Sequence, residues 1–252
     1  MGAPRFAPVG IDMSEQDAQT KPQTADDQLA QLHEFADRYA DRGQYRQTAK
    51  LAYRIVKRTF NIVFSLAVIV VLLVPGLILC LAIMLETKGS PIYVHERVGY
   101  HGRRLGVLKF RTMVADADDL EKYLCDWELA QFRREHKLDH DPRVTHLGAF
   151  LRKSSIDEFP QFLNVLAGQM NVVGPRPVTE EELAWFGDDV DELLSCHPGI
   201  TGLWQTLERN DATYQTGVRQ EMELTYVRKR CVKMDLAILA RTFGVMARKT
   251  GK

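Results

Sequence analysis

The sequence predicts an α/β protein, mostly helical with a small sheet, anchored to a membrane by one re-entrant, kinked helix and by interfacial amphipathic helices. Three observations lead there. Residues 60–85 read FNIVFSLAVIVVLLVPGLILCLAIML without a charged residue, beyond the roughly 18 apolar residues that mark a membrane-helix candidate. Basic residues flank that run on both sides. Residues 91–252 alternate short apolar runs with glycine- and proline-rich turns and show no internal repeat.

Residues 1–45 are polar and punctuated by proline, as in APRFAPVG and QTKPQTADDQ, and lean acidic. They read as a disordered tail that runs into a short helix from about Gln28. The long apolar stretch starts only at Phe60, so no signal peptide is expected. Lys plus Arg and Asp plus Glu each number 33 among 252 residues, so the net charge names no partner, and no nucleic acid is expected. The four cysteines, Cys80, Cys125, Cys196 and Cys231, lack C-x-x-C spacing and suit free thiols in a reducing compartment.

The membrane segment falls within residues 46–90. Pro75-Gly76 lies near the middle of the apolar run, where proline removes a backbone hydrogen bond and predicts a kink. Lys50, Arg54, Lys57 and Arg58 precede the run, and Lys88, Arg97, Arg103 and Arg104 follow it. The positive-inside rule favours the cytoplasm for both flanks. A helix that enters, bends at Val74-Pro75 and returns satisfies both, whereas a straight span exports one. The competing reading is a buried hairpin in a globular protein. At the C-terminus, DLAILARTFGVMARK (235–249) spaces Leu236, Leu239, Phe243 and Met246 at helical intervals beside Arg241, Arg248 and Lys249. It fits an interfacial helix or an amphipathic helix packed on its own domain.

Residues 91–252 form the expected catalytic domain. PIYVHERVGYHGRRLGVLKFRTM (91–113) predicts two strands joined around Tyr100-His101-Gly102. Residues 115–137 predict a charged helix, and 149–166 a helix broken or kinked before Pro160.

RKSSIDEFPQ (152–161) sets two carboxylates, Asp157 and Glu158, side by side. Neither helical i,i+4 spacing nor strand alternation puts adjacent residues on one face. Lys109 and Arg111 alternate in KFRTM, Arg152 and Lys153 lead the acidic pair, and Arg176 stands between prolines in GPRP. An arginine held by prolines presents a rigid fork suited to phosphate. Acids beside such cations can hold Mg²⁺, with substrate phosphate completing its shell, or attack phosphorus as a nucleophile. Neighbouring cations are expected to keep Asp157 ionised. His136 and His140 stand at i,i+4 without a third ligand in a recognised pattern, as on a solvated helix end. The G-x-G-x-x-G, G-x-x-x-x-G-K-[ST] and G-x-S-x-G signatures are missing from the sequence.

KFRTM, then DPRVTHLGAFLRKSSIDEFPQFLNVLAGQMNVVGPRP, then PGITGLWQ followed by ERNDATY, resemble the bacterial sugar transferase family, the monotopic phosphoglycosyl transferases. The resemblance runs from about Lys57 to the C-terminus. It implies transfer of a sugar 1-phosphate from a UDP-sugar to polyprenyl (undecaprenyl) phosphate, with release of UMP, as the first membrane step of polysaccharide or glycan assembly. By position, Asp157 is similar to the family nucleophile and Glu158 to its dyad partner, with Asp157 and Glu158 as the ligands of Mg²⁺. Arg152 and Arg176 resemble the phosphate clamps, with Lys109 and Arg111 in the family's KFR motif and Arg209 near the nucleotide. The implied location is the bacterial inner membrane, with the catalytic domain facing the cytoplasm. The implied partners are a UDP-sugar, polyprenyl phosphate and the lipid bilayer, with a homodimer as the candidate assembly.

Two features depart from the family pattern. Thr206-Leu207-Glu208 precede Arg209 where the family commonly has V-S-G. The tail before the membrane segment is short and polar, as in a minimal catalytic core. The insert from Asp116 to Asp141, with Trp127, resembles members that move galactose or glucose phosphate. Two other readings compete: a membrane-anchored, Mg²⁺-dependent phosphatase or nucleotide-sugar hydrolase using the same dyad, and a non-enzymatic protein whose basic residues bind anionic lipid.

Overall fold

The structure is a computed structural model, in which residues 24–39, 47–135, 138, 140–207 and 214–247 are described. Helix α1 spans Ala25–Tyr39. It starts where Thr24 and Asp27 cap each other: the Asp27 carboxylate accepts the Thr24 N–H at 3.0 Å, and the Thr24 hydroxyl accepts the Asp27 N–H at 3.2 Å. Gln28, Leu32, Phe35 and Ala36 recur at helical spacing and are buried, with α1 lying against two C-terminal helices, α10 (Val218–Lys229) and α11 (Val232–Ala247). The polar N-terminal region expected as a tail therefore contributes a helix to the core, which begins slightly earlier than Gln28.

Helix α2 spans Gln47–Thr87 and runs unbroken through Pro75. Its apolar part has a mean hydropathy of 3.2, and Val70, Val71, Leu73, Val74, Leu77 and Ile78 are all exposed, Val71 by 72 %. That exposure rules out the buried hairpin. An uncovered apolar surface of this kind marks an interaction with a membrane or a partner. Both ends of α2 nevertheless grip the rest of the protein. Phe60, Phe64, Val68 and Ile69 pack on the main core, while Leu79, Cys80 and Ile83 join a smaller core with Phe110 and Leu151.

Strands β1 (Ile92–Val98) and β2 (Arg104–Phe110) form the expected antiparallel hairpin, with Tyr93 opposite Lys109 and His95 opposite Val107. The connection is a single 3₁₀ turn, Tyr100–Gly102. The expected charged helix is two pieces, α3 (Leu120–Tyr123) and α4 (Asp126–Glu135), interrupted at Leu124, whose backbone turns extended. The DPR segment explains how this insert is tied down. Arg143 is buried, makes a two-pronged pair with Asp141 at 2.8 and 2.6 Å, and lies over the Phe132 ring.

The helix expected over 149–166, broken or kinked before Pro160, is broken into α5 (His146–Ser154) and α6 (Gln161–Leu166). Strands β3 (Asn171–Val173) and β4 (Gly199–Thr201) pair in parallel. Between them lie α7 (Glu180–Leu183) and α8 (Val190–Leu194), and α9 (Leu203–Leu207) follows β4. The second strand pair is possible because glycines meet there: a Cβ on Gly199 would stand 2.1 Å from the Gly174 nitrogen. In α11, Met234 and Ile238 are fully buried while Leu236 and Phe243 are exposed. One face of this helix packs on the domain, as the second reading of the C-terminus expects, and the other is exposed.

Candidate active site

The acidic pair sits where a helix is made to stop. Thr145 caps α5 by accepting the Gly148 N–H at 2.9 Å, and the helix ends at Ser155, whose φ of 57° is left-handed. A non-glycine residue there stores about 1–3 kcal/mol of strain. A 3₁₀ turn, Ile156–Glu158, carries both acids before Pro160 opens α6. The break thus falls at Ser155, between Arg152 and Asp157, and not only at the proline.

Lys109, at the end of β2, answers why adjacent acids can act together. Its ammonium lies 3.2 Å from Glu158 Oε1 and 3.9 Å from Asp157 Oδ2, so the two side chains converge on one cation. Asp157 is pushed up to about 6, chiefly by burial; Glu158 adds to the rise, and Lys109 and Arg152 oppose it. The cations expected to keep it ionised are outweighed by desolvation, yet a value of about 6 still leaves the carboxylate mostly ionised at neutral pH. Arg152 donates from Nε to Thr112 Oγ1 at 2.8 Å, and the nearby Asp157 and Asp141 charges favour its charged form against burial. Thr112 reaches it because α5 lies directly on the end of β2: a Cβ on Gly148 would stand 2.0 Å from the Thr112 carbonyl oxygen.

The dyad also abuts the apolar helix. Ile156 and Phe159, on either side of the acids, pack in the smaller core with Leu79, Cys80 and Ile83 of α2. Below them, Arg58 donates to the carbonyls of Val165 and Leu166 at 2.7 and 2.9 Å, which satisfies the C-terminus of α6 with a cation.

A second cationic group lies beyond Lys109. The backbone N–H of Arg176 donates to Glu223 at 3.2 and 3.3 Å, and Glu223, almost fully buried, is pushed up to about 7 by burial. The Arg176 guanidinium lies 5.4 Å from the Trp204 ring centre, while Arg219 is held between Trp204 and Tyr214 at 4.1 and 4.0 Å. Arg176 Nε, Arg219 Nε and Nη2 and Trp204 Nε1 are buried without a hydrogen-bond partner among the described residues. Arg219 and Glu182 approach only to 3.8 Å, too far for a hydrogen bond. His95 links the two groups. Burial and the charges of Arg97, Lys109 and Arg176 push its imidazole down to about 4, so it is neutral at pH 7.

Of the residues singled out from the sequence, Lys109, Arg152, Asp157 and Glu158 come together, and Arg176 joins the second cationic group. Arg111 does not join them; its Nε donates to the Ser90 carbonyl at 2.7 Å and its guanidinium faces Tyr93. Arg209 and His136 lie outside the described residues. Sequence reading missed Arg97, Trp204, Arg219, Glu223 and Thr112. Arg97 and His95 alternate in a strand and Trp204 sits in PGITGLWQ, but nothing local distinguishes Arg219 from a surface arginine.

Mg²⁺ commonly takes one or two carboxylates, with water and phosphate supplying its other ligands. Asp157 and Glu158 supply two carboxylates, whose shared partner in this structure is the Lys109 ammonium, and among the described residues no group of three His, Cys, Asp or Glu side chains could hold a metal.

The site thus combines a carboxylate pair gathered on a lysine, a nearby arginine pair with unpaired buried donors and a helix long and apolar enough to enter a membrane. Residues 52–249 match the family described as bacterial sugar transferase, and the chain belongs to that family. It is 43 % identical over 206 residues to the UDP-galactose-lipid carrier transferase of Erwinia amylovora, an alignment covering 81 % of this chain and 43 % of the relative. It is 41 % identical over 207 residues to the undecaprenyl-phosphate galactose phosphotransferase of Salmonella typhimurium, covering 81 % and 43 %. The exopolysaccharide production protein ExoY of Rhizobium meliloti is 39 % identical over 201 residues, covering 78 % of this chain and 88 % of that protein. The chain thus spans less than half the length of the first two relatives.

Proposed function

We propose that the protein is a phosphoglycosyl transferase of the bacterial inner membrane. It moves a hexose 1-phosphate, galactose or glucose, from a UDP-sugar to undecaprenyl phosphate and starts exopolysaccharide or glycan assembly. The observation that carries this reading is the convergence of Asp157 and Glu158 on Lys109 against the apolar helix. The names of the relatives in Erwinia and Salmonella support the lipid acceptor and the galactosyl donor.

In this mechanism a carboxylate oxygen of Asp157 attacks the sugar-bearing phosphorus of the donor. The bond from that phosphorus to the bridging oxygen breaks, and UMP leaves with the electron pair. An oxygen of the lipid phosphate then attacks the same phosphorus, and Asp157 departs as a carboxylate. The product is a polyprenyl-diphosphate sugar. Glu158 holds Lys109 beside the reacting group, and Arg152 stabilises the charge of Asp157. Arg97, Arg176 and Arg219 supply the donors for the diphosphate. Asp157 and Glu158 would hold Mg²⁺, which when bound neutralises phosphate charge.

Topology follows from the two ends of α2. Between the buried Asn61 and Ile83 the helix, rising about 1.5 Å per residue, is roughly 33 Å long. That is about one hydrocarbon thickness. A straight span puts these residues on opposite sides of a bilayer, yet both pack on one domain. This supports a re-entrant α2 with both flanks on one face, and their basic residues favour the cytoplasmic face.

The test is intact mass spectrometry of the purified protein with Mg²⁺ and a panel of UDP-sugars, without lipid. A gain of one sugar phosphate, lost in Asp157→Asn, is expected and names the sugar. Sugar phosphate released to water at the same rate with and without undecaprenyl phosphate would replace the transferase by a hydrolase.

A further inference from the structure

A basic cavity of about 400 Å³ opens at the start of α2, away from the dyad, lined by Tyr53, Arg54, Lys57, Arg58, His197 and Arg230 among others. Among the described residues no carboxylate lines it. Lys57 forms its wall and is neutralised by Asp235 at 2.8 Å, with further bonds to Tyr53 and Tyr226. Arg54, Arg58 and Arg230 remain as cations without a matching acid in the lining. The field is legible at His197, which is pushed below its ordinary value by burial and by the neighbouring positive charges of Arg58, His101 and Lys57.

On the other side of Lys57 lies a second, mostly apolar cavity of about 230 Å³, lined by Val56, Phe60, Val232, Leu236 and Leu239, with Asn61 and the Lys57-paired Asp235 at its polar edge. A basic cavity and an apolar one therefore share a single lysine wall, one to two helical turns before the apolar stretch that begins at Phe60. That is the depth of lipid headgroups for a helix entering a bilayer there.

We propose that these two cavities hold one anionic phospholipid of the surrounding bilayer. Its phosphate lies among Arg54, Arg58 and Arg230, and the start of an acyl chain lies against Val56, Phe60 and Leu236. The site is separate from the reacting centre: Arg58 stands at the C-terminal end of α6 and the dyad precedes its N-terminal end. α6 alone is about 9 Å long. The proposal rests on the reading that α2 enters a bilayer at Phe60, but not on the chemistry of Asp157. Through Arg58, occupancy of the site would brace the helix that follows the dyad.

Native mass spectrometry of the full chain in detergent tests this, with equimolar phosphatidylglycerol, phosphatidylcholine or undecaprenyl phosphate, or with inorganic phosphate. One phosphatidylglycerol is expected to be retained in preference to phosphatidylcholine, and equally in the wild type and Asp157→Asn. Arg54→Gln and Arg230→Gln should each lower retention about fivefold, because a basic residue at an anionic lipid surface contributes about 1 kcal/mol. Equal retention of the zwitterionic lipid, or undiminished retention in the double variant, overturns the proposal. Displacement of phosphatidylglycerol by inorganic phosphate would make the cavity a soluble-anion site. Displacement by undecaprenyl phosphate at equimolar amounts would make it an acceptor site. Failure of transferase activity in wild type alongside normal lipid retention would overturn the enzymatic reading and leave this one standing.

Discussion

Asp157 has to be ionised to attack phosphorus, and burial works against that. Its value of about 6 sets the lower edge of the working range. Activity per unit of substrate, kcat/KM, is expected to fall about tenfold per pH unit below that value. The stability effect has the opposite sign. The folded value lies above the ordinary 3.8, so the folded protein holds the proton more tightly, and stability from this group rises as pH falls through about 6. Asp157→Asn should accordingly keep or raise the melting temperature at pH 7.5 while removing at least about 10³-fold of transfer. A lower melting temperature would show that the ionised carboxylate is structural. Lys109 opposes the effect of burial, so Lys109→Met should move the acid inflection of the pH–rate profile upward by about one unit or more. An unmoved inflection would assign it to another group.

At the scale of elements, the site depends on α5 lying on the end of β2. Gly148→Ala would put a methyl group 2.0 Å from the Thr112 carbonyl oxygen. The collision can be relieved only by shifting backbone, at about 1–3 kcal/mol or more, and the shift separates Thr112 from Arg152. Thermal unfolding should show this loss and turnover should fall with it. Gly244→Ala is the control: it sits in α11 with nothing near the added carbon and should gain about 0.5–1 kcal/mol from helix propensity. Equal melting temperatures for the two would refute the packing argument. Gly148 also marks where sequence reading stops. The hairpin was legible because Tyr100-His101-Gly102 separates two apolar runs, and the acidic pair because it stands beside Arg152 and Lys153 in a stretch that resembles the family motif. The left-handed Ser155 carried no such mark, so the break was expected before Pro160 and not at Ser155, where α5 gives way to a 3₁₀ turn and then α6. Arg219 was invisible for a different reason: its role comes from Trp204 and Tyr214 closing over it, contacts between segments distant in sequence.

For the whole molecule, α2 poses a choice between two arrangements that differ in one observable. Its exposed apolar middle is long and apolar enough to enter a bilayer, and its two ends are fixed to the same domain by unlike means. At the start, Arg58 bonds α6 and Asn61 donates to Asn171 at 2.7 Å. At the end, Ile83 is buried with Leu151, and Glu86 accepts the Leu147 N–H at 3.2 Å. Detaching either end to form a straight span would leave Asn61 or the buried α6 carbonyls without partners, at about 1–3 kcal/mol per group, and would expose Ile83. α2 is continuous through Pro75, and a re-entrant arrangement would place its bend there, because the backbone bond that proline cannot donate is already missing. Single cysteines at Ala52 and Lys88, in a background without the native four, should therefore both react with a membrane-impermeant maleimide only after the inner membrane is opened. Labelling of one from the outside in intact spheroplasts would establish a span. Pro75→Ala should shift some molecules towards that pattern, and if neither the labelling nor the activity changes, the bend does not depend on the proline.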